Sequence, residues 1–227
     1  MDRLAEELGQ RLKALRTVTD TEFDELLPIR PRIRSLSYWS SVEVCQTAAR
    51  WLRAVGAKRV LDVGSGVGKF AAIASLSTGQ RVWGIELRPD LALASRALAQ
   101  RLGAEVSLLE GTLDDVDATH FDGFLHDVRV VERWLRVAPL GTAMVTYNGL
   151  GGRIPLSWMV EKSTVLGGDN LRLWIKRGAD DSSDAIIEIN EHLIPASKLA
   201  SLVKGGDARV KCSSLVARLV SGSPGDR

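Results

Sequence analysis

The chain has 227 residues, 45% of them hydrophobic and 26% charged, with a formal net charge of +2. That length suits one large domain, or a domain with a small extension, and the composition excludes a disordered or fibrous protein. A nearly balanced charge gives no nucleic-acid footprint, no apolar run reaches the roughly 18 residues of a membrane span, and Cys45 and Cys212 form no motif. The charged N-terminal stretch lacks the apolar core of a signal peptide, so cytoplasmic residence is the expectation.

In chain order, Leu4, Leu8, Leu12 and Leu15 recur at helical spacing and predict a surface helix. Thr19 or Asp20 is placed to cap a second short helix ended by Pro28, and Arg30, Arg32 and Arg34 follow in an extended link. A helix is predicted from Val42 to Val55, with Gly56 as its stop. From there strands and helices alternate: strand 60–63, helix 67–77, strand 81–86, helix 89–102, strand 105–109, strand 121–126, helix 131–137, strand 142–147. Such alternation predicts a parallel sheet. Residues 155–165 read as a helix, and 171–176 and 185–189 as an antiparallel hairpin joined by the polar loop GADDSSD.

The most informative stretch is Val60–Phe70, VLDVGSGVGKF, in which a buried strand runs into a glycine turn that opens a helix. The next strand ends at Glu86, followed by Leu87. Strand, glycine turn, helix, strand and acid together hold a nucleoside. Gly64, Gly66 and Gly68 let the backbone pass close beneath a ligand, with Ser65 between them, and amides opening the following helix can meet a carboxylate. Glu86 is placed to accept both ribose hydroxyls. Asp62, two residues before Gly64, suits a ligand with positive charge and opposes a pyrophosphate. The spacing also departs from Gly-x-Gly-x-x-Gly, because Lys69 follows Gly68. These features select S-adenosylmethionine over a nicotinamide dinucleotide, while a tight turn with no ligand is the bland alternative.

The segment resembles motif I of the class I, Rossmann-like S-adenosylmethionine-dependent methyltransferases. The chain is similar in particular to bacterial methyltransferase-domain proteins, through YWSSVEV (38–44), LDVGSGVGKF and VTYNGLGGRIP (145–155). The resemblance implies an α/β fold with a seven-stranded, mostly parallel sheet of order 3-2-1-4-5-7-6 and helices on both faces. It divides the chain into an N-terminal helical extension (1–40), a methyltransferase domain (41–195) and a C-terminal extension (196–227). Relatives carry His-Trp-Thr-Pro and Asn-Pro-Phe where this chain has Tyr38-Trp39-Ser40-Ser41 and His126-Asp127-Val128, so the acceptor site is its own.

The remaining candidates lie at the strand ends. Backbone atoms of Thr112 and Leu113 are placed to hold the adenine, a capped polar loop being the alternative. His126, Asp127 and Tyr147 are candidates to position the methyl acceptor or take its proton. Tyr38 and Trp39 are candidate lids, Trp39 against the cofactor. No metal site is expected, since His120, His126 and His192 do not cluster with cysteine. The expected activity is direct methyl transfer from S-adenosylmethionine to a small molecule or a peptide, leaving S-adenosylhomocysteine. Nucleic acid and membrane partners are not expected. The competing reading is a cofactor-binding subunit without transferase chemistry.

Overall fold

The computed structural model describes residues 2–30, 32, 40–121, 123–126, 132–147, 153–180, 185–189 and 192–195. Helix α1 (Arg3–Lys13) buries Ala5, Leu8, Gly9 and Leu12 on one stripe, and Asp2 caps it. Helix α2 (Asp20–Asp24) starts in a capping box between Thr19 and Glu22. Glu22 also accepts Arg11 Nη1 at 2.7 Å, which locks the two helices together. Helices α3 (Val42–Ala54), α4 (Lys69–Thr78) and α5 (Pro89–Leu102) follow.

Strands β1 (Arg59–Val63), β2 (Arg81–Glu86), β3 (Val106–Glu110), β4 (Gly123–His126) and β5 (Ala143–Tyr147) pair in parallel. Helix α6 (Glu132–Val137) lies between β4 and β5 in the chain. Five strands then follow: β6 (Arg153–Pro155), β7 (Trp158–Leu166), β8 (Asp169–Lys176), β9 (Ala185–Ile189) and β10 (His192–Pro195). The main sheet runs β3-β2-β1-β4-β5-β8-β7, and β8 is antiparallel to both its neighbours. Strands β10, β9 and β6 form a separate antiparallel sheet.

Two expectations about the last third are corrected. Residues 158–166 form a strand, not a helix. The hairpin that finishes the main sheet is β7–β8, turned at Gly167 and Gly168 with φ of +61° and +94°. Strand β9 leaves the main sheet and pairs with β6 and β10 instead. The physical reason is a bulge between Val160 and Lys162, which shifts the alternation midway and erases the period of two that marks a strand.

Elsewhere the alternation sorts the core into two clusters. Val60, Ala143, Val145, Leu171, Leu173 and Ile175 face one side, and Leu61, Met144 and Trp174 the other. Helices α1 to α5 supply the first cluster, including Leu8, Leu12 and Phe23, so the N-terminal helices share a core with β1 and β2. The second cluster draws on Trp134 and Leu135 of α6 and on Phe121, Ile154 and Trp158. Two of its tryptophans have satisfied indoles: Trp158 Nε1 donates to Leu135 O at 3.2 Å and Trp174 Nε1 to Thr146 Oγ1 at 3.1 Å.

Candidate active site

Strand β1 delivers Asp62 and then bends through a turn whose glycines 64, 66 and 68 have φ of +69°, +55° and +76°. Only glycine adopts such angles without strain, which is why the turn needs three of them. The turn is tied down from β2. Gly64 N and Ser65 N both donate to Ile85 O, at 2.9 and 3.0 Å, and Gly68 N donates to Ser65 O at 2.8 Å. Glu86 holds the middle: its Oε2 accepts Gly66 N at 2.8 Å and its Oε1 accepts Arg88 N at 2.9 Å. The side chain is thereby fixed at the carboxyl end of β2, with lone pairs on both oxygens still available to further donors.

Close packing explains two more residues. A Cβ on Gly84 would lie 2.8 Å from both Ser65 Oγ and Leu108 Cδ2, so glycine in β2 lets the turn settle onto the strand. Beside Gly64 a Cβ would meet nothing within 4 Å, so that flank is open. Ser65 Oγ is buried and makes no hydrogen bond among the described residues. Helices α1, α2 and α3 are capped by the side chains of Asp2, Thr19 and Ser41, whereas Gly68 at the N-cap of α4 supplies no side-chain bond. The amides of Gly64, Ser65, Gly66 and Gly68 are engaged internally. The first-turn amides of α4, which have no intrahelical acceptor, are what remains to meet an anion.

One group escaped the sequence reading. Lys69, the first residue of α4, is only 5% exposed. Its Nζ lies 2.6 Å from Asp20 Oδ1 and 3.2 Å from Asp24 Oδ1, and 5.4 Å from the centre of the Phe23 ring. Burial opposes its charge, but the Asp20 hydrogen bond and the neighbouring negative charges hold its pKa above the ordinary value. The available signal was a lone cation heading the apolar helix KFAAIASL, together with two acids four residues apart on α2. Cys45 lies buried nearby, and burial pushes its thiol well above its usual pKa, which makes it an inert core residue.

The other candidates divide. Asp62 and Glu86 are 4% and 8% exposed and stand toward the carboxyl ends of two neighbouring interior strands, while Leu87, next to Glu86, is 67% exposed. Thr112 caps its own loop: its amide and hydroxyl both donate to Asp115 Oδ2, at 2.7 and 3.1 Å. Leu113 packs against the second core cluster. The backbone of His126 ends β4 opposite Val63, one residue before the glycine turn, and opposite Thr146 of β5. Tyr147 ends β5 and packs against the first cluster. Tyr38, Trp39 and Asp127 lie outside the described residues, as does Arg34. Arg32 donates to the carbonyls of Glu25 and Leu27, a local capping role. Among the described residues no group of three or more histidine, cysteine, aspartate or glutamate side chains could hold a metal ion.

The protein-L-isoaspartate(D-aspartate) O-methyltransferase family matches residues 23–126, just under half of the chain. No curated protein matches. Among solved structures, the chain is similar to the O-methyltransferase TomG from Streptomyces achromogenes, involved in tomaymycin synthesis and solved in complex with SAM. That likeness has 14% identity, a TM-score of 0.55, and covers 78% of this chain and 100% of that one. Cofactor-bound Rv0187 from MTB shows 20% identity and a TM-score of 0.53, covering 78% and 91%. An O-methyltransferase from Bacillus cereus in complex with SAH shows 14% identity and a TM-score of 0.52, covering 78% and 100%. The chain therefore has the Rossmann-like α/β fold of the class I S-adenosylmethionine-dependent methyltransferases, and its likeness to the isoaspartate family is confined to residues 23–126.

Proposed function

We propose that the chain binds S-adenosylmethionine and transfers its methyl group by direct displacement to a heteroatom of a small molecule or a peptide. The observation that carries this reading is a helix whose glycine N-cap makes no side-chain hydrogen bond, flanked by two buried carboxylates on adjacent strands. Amides for a carboxylate, an acid for an ammonium and an acid for two hydroxyls match the polar groups of that cofactor. A dinucleotide would set a pyrophosphate beside Asp62, where the charges repel. The sheet order supports the same reading, since β7 and β8 are the sixth and seventh strands of their sheet in chain order and stand as 7-6 at its edge.

When bound, the cofactor supplies an electrophilic methyl group on a sulfonium with a good leaving group. The amides opening α4 would hold its carboxylate, Asp62 its ammonium and Glu86 its ribose. Leu87 would offer apolar surface to the purine, with Ser65 and the backbone of Leu113 nearby; Thr112 would act only by holding its loop. His126, Asp127 and Tyr147 are the candidates to hold the acceptor and take its proton, and Trp39 to cover the cofactor. With so good a leaving group, holding the reactants in near-attack geometry can supply much of the acceleration. The isoaspartate family's match ends at His126, so it speaks for the donor half and leaves the acceptor open.

Calorimetry with S-adenosylmethionine and S-adenosylhomocysteine, followed by a methyl-donor turnover assay over oxygen, nitrogen and thiol acceptors, tests the reading. Binding with S-adenosylhomocysteine release supports a transferase. Binding without turnover across the panel would assign a cofactor-binding partner subunit, and no binding would sink both.

A further inference from the structure

We propose that Lys69 is a positioning residue of the glycine turn: its ammonium ties α2 and the start of α3 to the turn's exit, so that cofactor retention depends on the N-terminal segment. The ligand in this statement rests on the methyltransferase reading; the tether rests on geometry alone.

Three left-handed glycines make the turn a permissive stretch of backbone, and holding it in one conformation has an entropic cost. Its beginning is held by Ile85 O and its middle by Glu86. Its exit is Gly68, followed at once by Lys69. The ammonium of Lys69 reaches Asp20 at 2.6 Å and Asp24 at 3.2 Å, with the Lys69 and Asp24 side chains 6% and 10% exposed. Asp20 Oδ1 also accepts Val42 N at 2.8 Å, so the same carboxylate fastens the first residue of α3. One cation thus joins three elements at the point where the turn becomes helix.

The charge balance makes the joint sensitive. Without the ammonium, the two carboxylates that share it lose the charge between them and repel; without either acid, a buried cation loses part of its neutralisation. Either change loosens α2 from α4 at the residue that bears the first amide left for the cofactor. An ion pair serving only to hold α2 down could sit anywhere along the helix. This one is placed next to the left-handed N-cap.

The test uses the full chain in three forms: wild type, Lys69→Met and Asp20→Asn, with Leu135→Ala in the second core cluster as a destabilised control. S-adenosylhomocysteine affinity is measured by calorimetry, and amide hydrogen exchange is followed without ligand. In Lys69→Met, affinity is expected to fall about tenfold or more, equivalent to about 1.4 kcal/mol. Exchange at residues 64–70 and 19–27 should rise together. Leu135→Ala should lower the melting temperature with affinity unchanged. Affinity within twofold of wild type, or faster exchange at 19–27 with none at 64–70, overturns the proposal and leaves a structural ion pair. If Lys69→Met does not fold, Asp20→Asn decides by the same two readouts, since asparagine still accepts from Val42. Failure of the wild type itself to bind sinks the cofactor reading, while the exchange experiment still judges the tether.

Discussion

The two ends of β1 and β2 show opposite chemistry. At the carboxyl ends stand the buried acids Asp62 and Glu86, the left-handed turn and the uncapped start of α4. At the amino ends, a cleft of about 760 Å³ is lined by Arg53, Lys58, Arg59 and Arg81 over Thr78 and Gln80. Helix polarity accounts for the charges: α4 starts at the first end and finishes at the second, so acids meet its positive terminus and cations its negative one. What differs is the satisfaction of the polar groups. At the amino end Thr78 Oγ1 donates to Ala74 O and lies 2.7 Å from Gln80 Oε1, while Gln80 Nε2 donates to Ala57 O at 2.7 Å. Thr78 and Gln80 there spend their hydrogen bonds on the protein itself, whereas at the carboxyl end the amides opening α4 have no intrahelical acceptor and Glu86 keeps lone pairs for further donors.

The largest effect should come from Glu86→Ala, which removes the acceptor of Gly66 N and Arg88 N together with the proposed ribose acceptor. S-adenosylhomocysteine affinity should drop about 100-fold, in line with losing charge-assisted hydrogen bonds of about 1.5–3 kcal/mol each. Unchanged affinity in calorimetry would break the assignment of the carboxyl end as the site.

Next comes Gly68→Ala, whose Cβ would lie 2.0 Å from Ser95 Oγ at a φ of +76°. Urea denaturation should show a loss of about 2 kcal/mol from left-handed strain and overpacking. Adding Ser95→Gly should recover only the part due to the clash. Full recovery would mean that the left-handed angle contributes nothing.

A smaller effect concerns pH at the N-terminal helices. The hydrogen bond from Arg11, then those from the amide and hydroxyl of Thr19, hold the Glu22 carboxyl down to about 2, and Arg101 lowers that of Asp2. Depressed acids contribute stability that is present above the ordinary carboxylate range and lost as pH falls through the folded value. Exchange protection of α1 and α2 should therefore weaken between about pH 4.5 and 2, and Glu22→Gln should flatten that dependence. A profile identical in the variant would remove Glu22 from the account.

The smallest change is expected at the amino end. Arg81→Ala should leave S-adenosylhomocysteine affinity within about twofold, because an exposed charge remote from the ligand is screened within about 8–10 Å. A large loss there would erase the contrast between the two ends.

The legibility of the sequence followed the range of the interactions involved. The glycine turn, Asp62 and Glu86 could be read because their spacing is local and their chemistry specific. The helices α1, α3 and α5 showed in their apolar stripes and end signals. Strand β7 did not, because its bulge breaks the alternation, and the pairing of β9 with β6 joins residues 30 or more apart, which no local pattern encodes. Thr112 is an intermediate case: the polar loop was visible, but its commitment to Asp115 was not.

By itself, then, the sequence determined the strand, glycine turn and helix and placed Asp62 and Glu86 beside them, since glycine spacing and strand-end acids are local signals. Tertiary structure alone decided how these parts are held. The reach of Glu86 back to Gly66 spans 20 residues and the reach of Lys69 to Asp20 spans 49, distances over which only folding brings a carboxylate to an amide or to an ammonium.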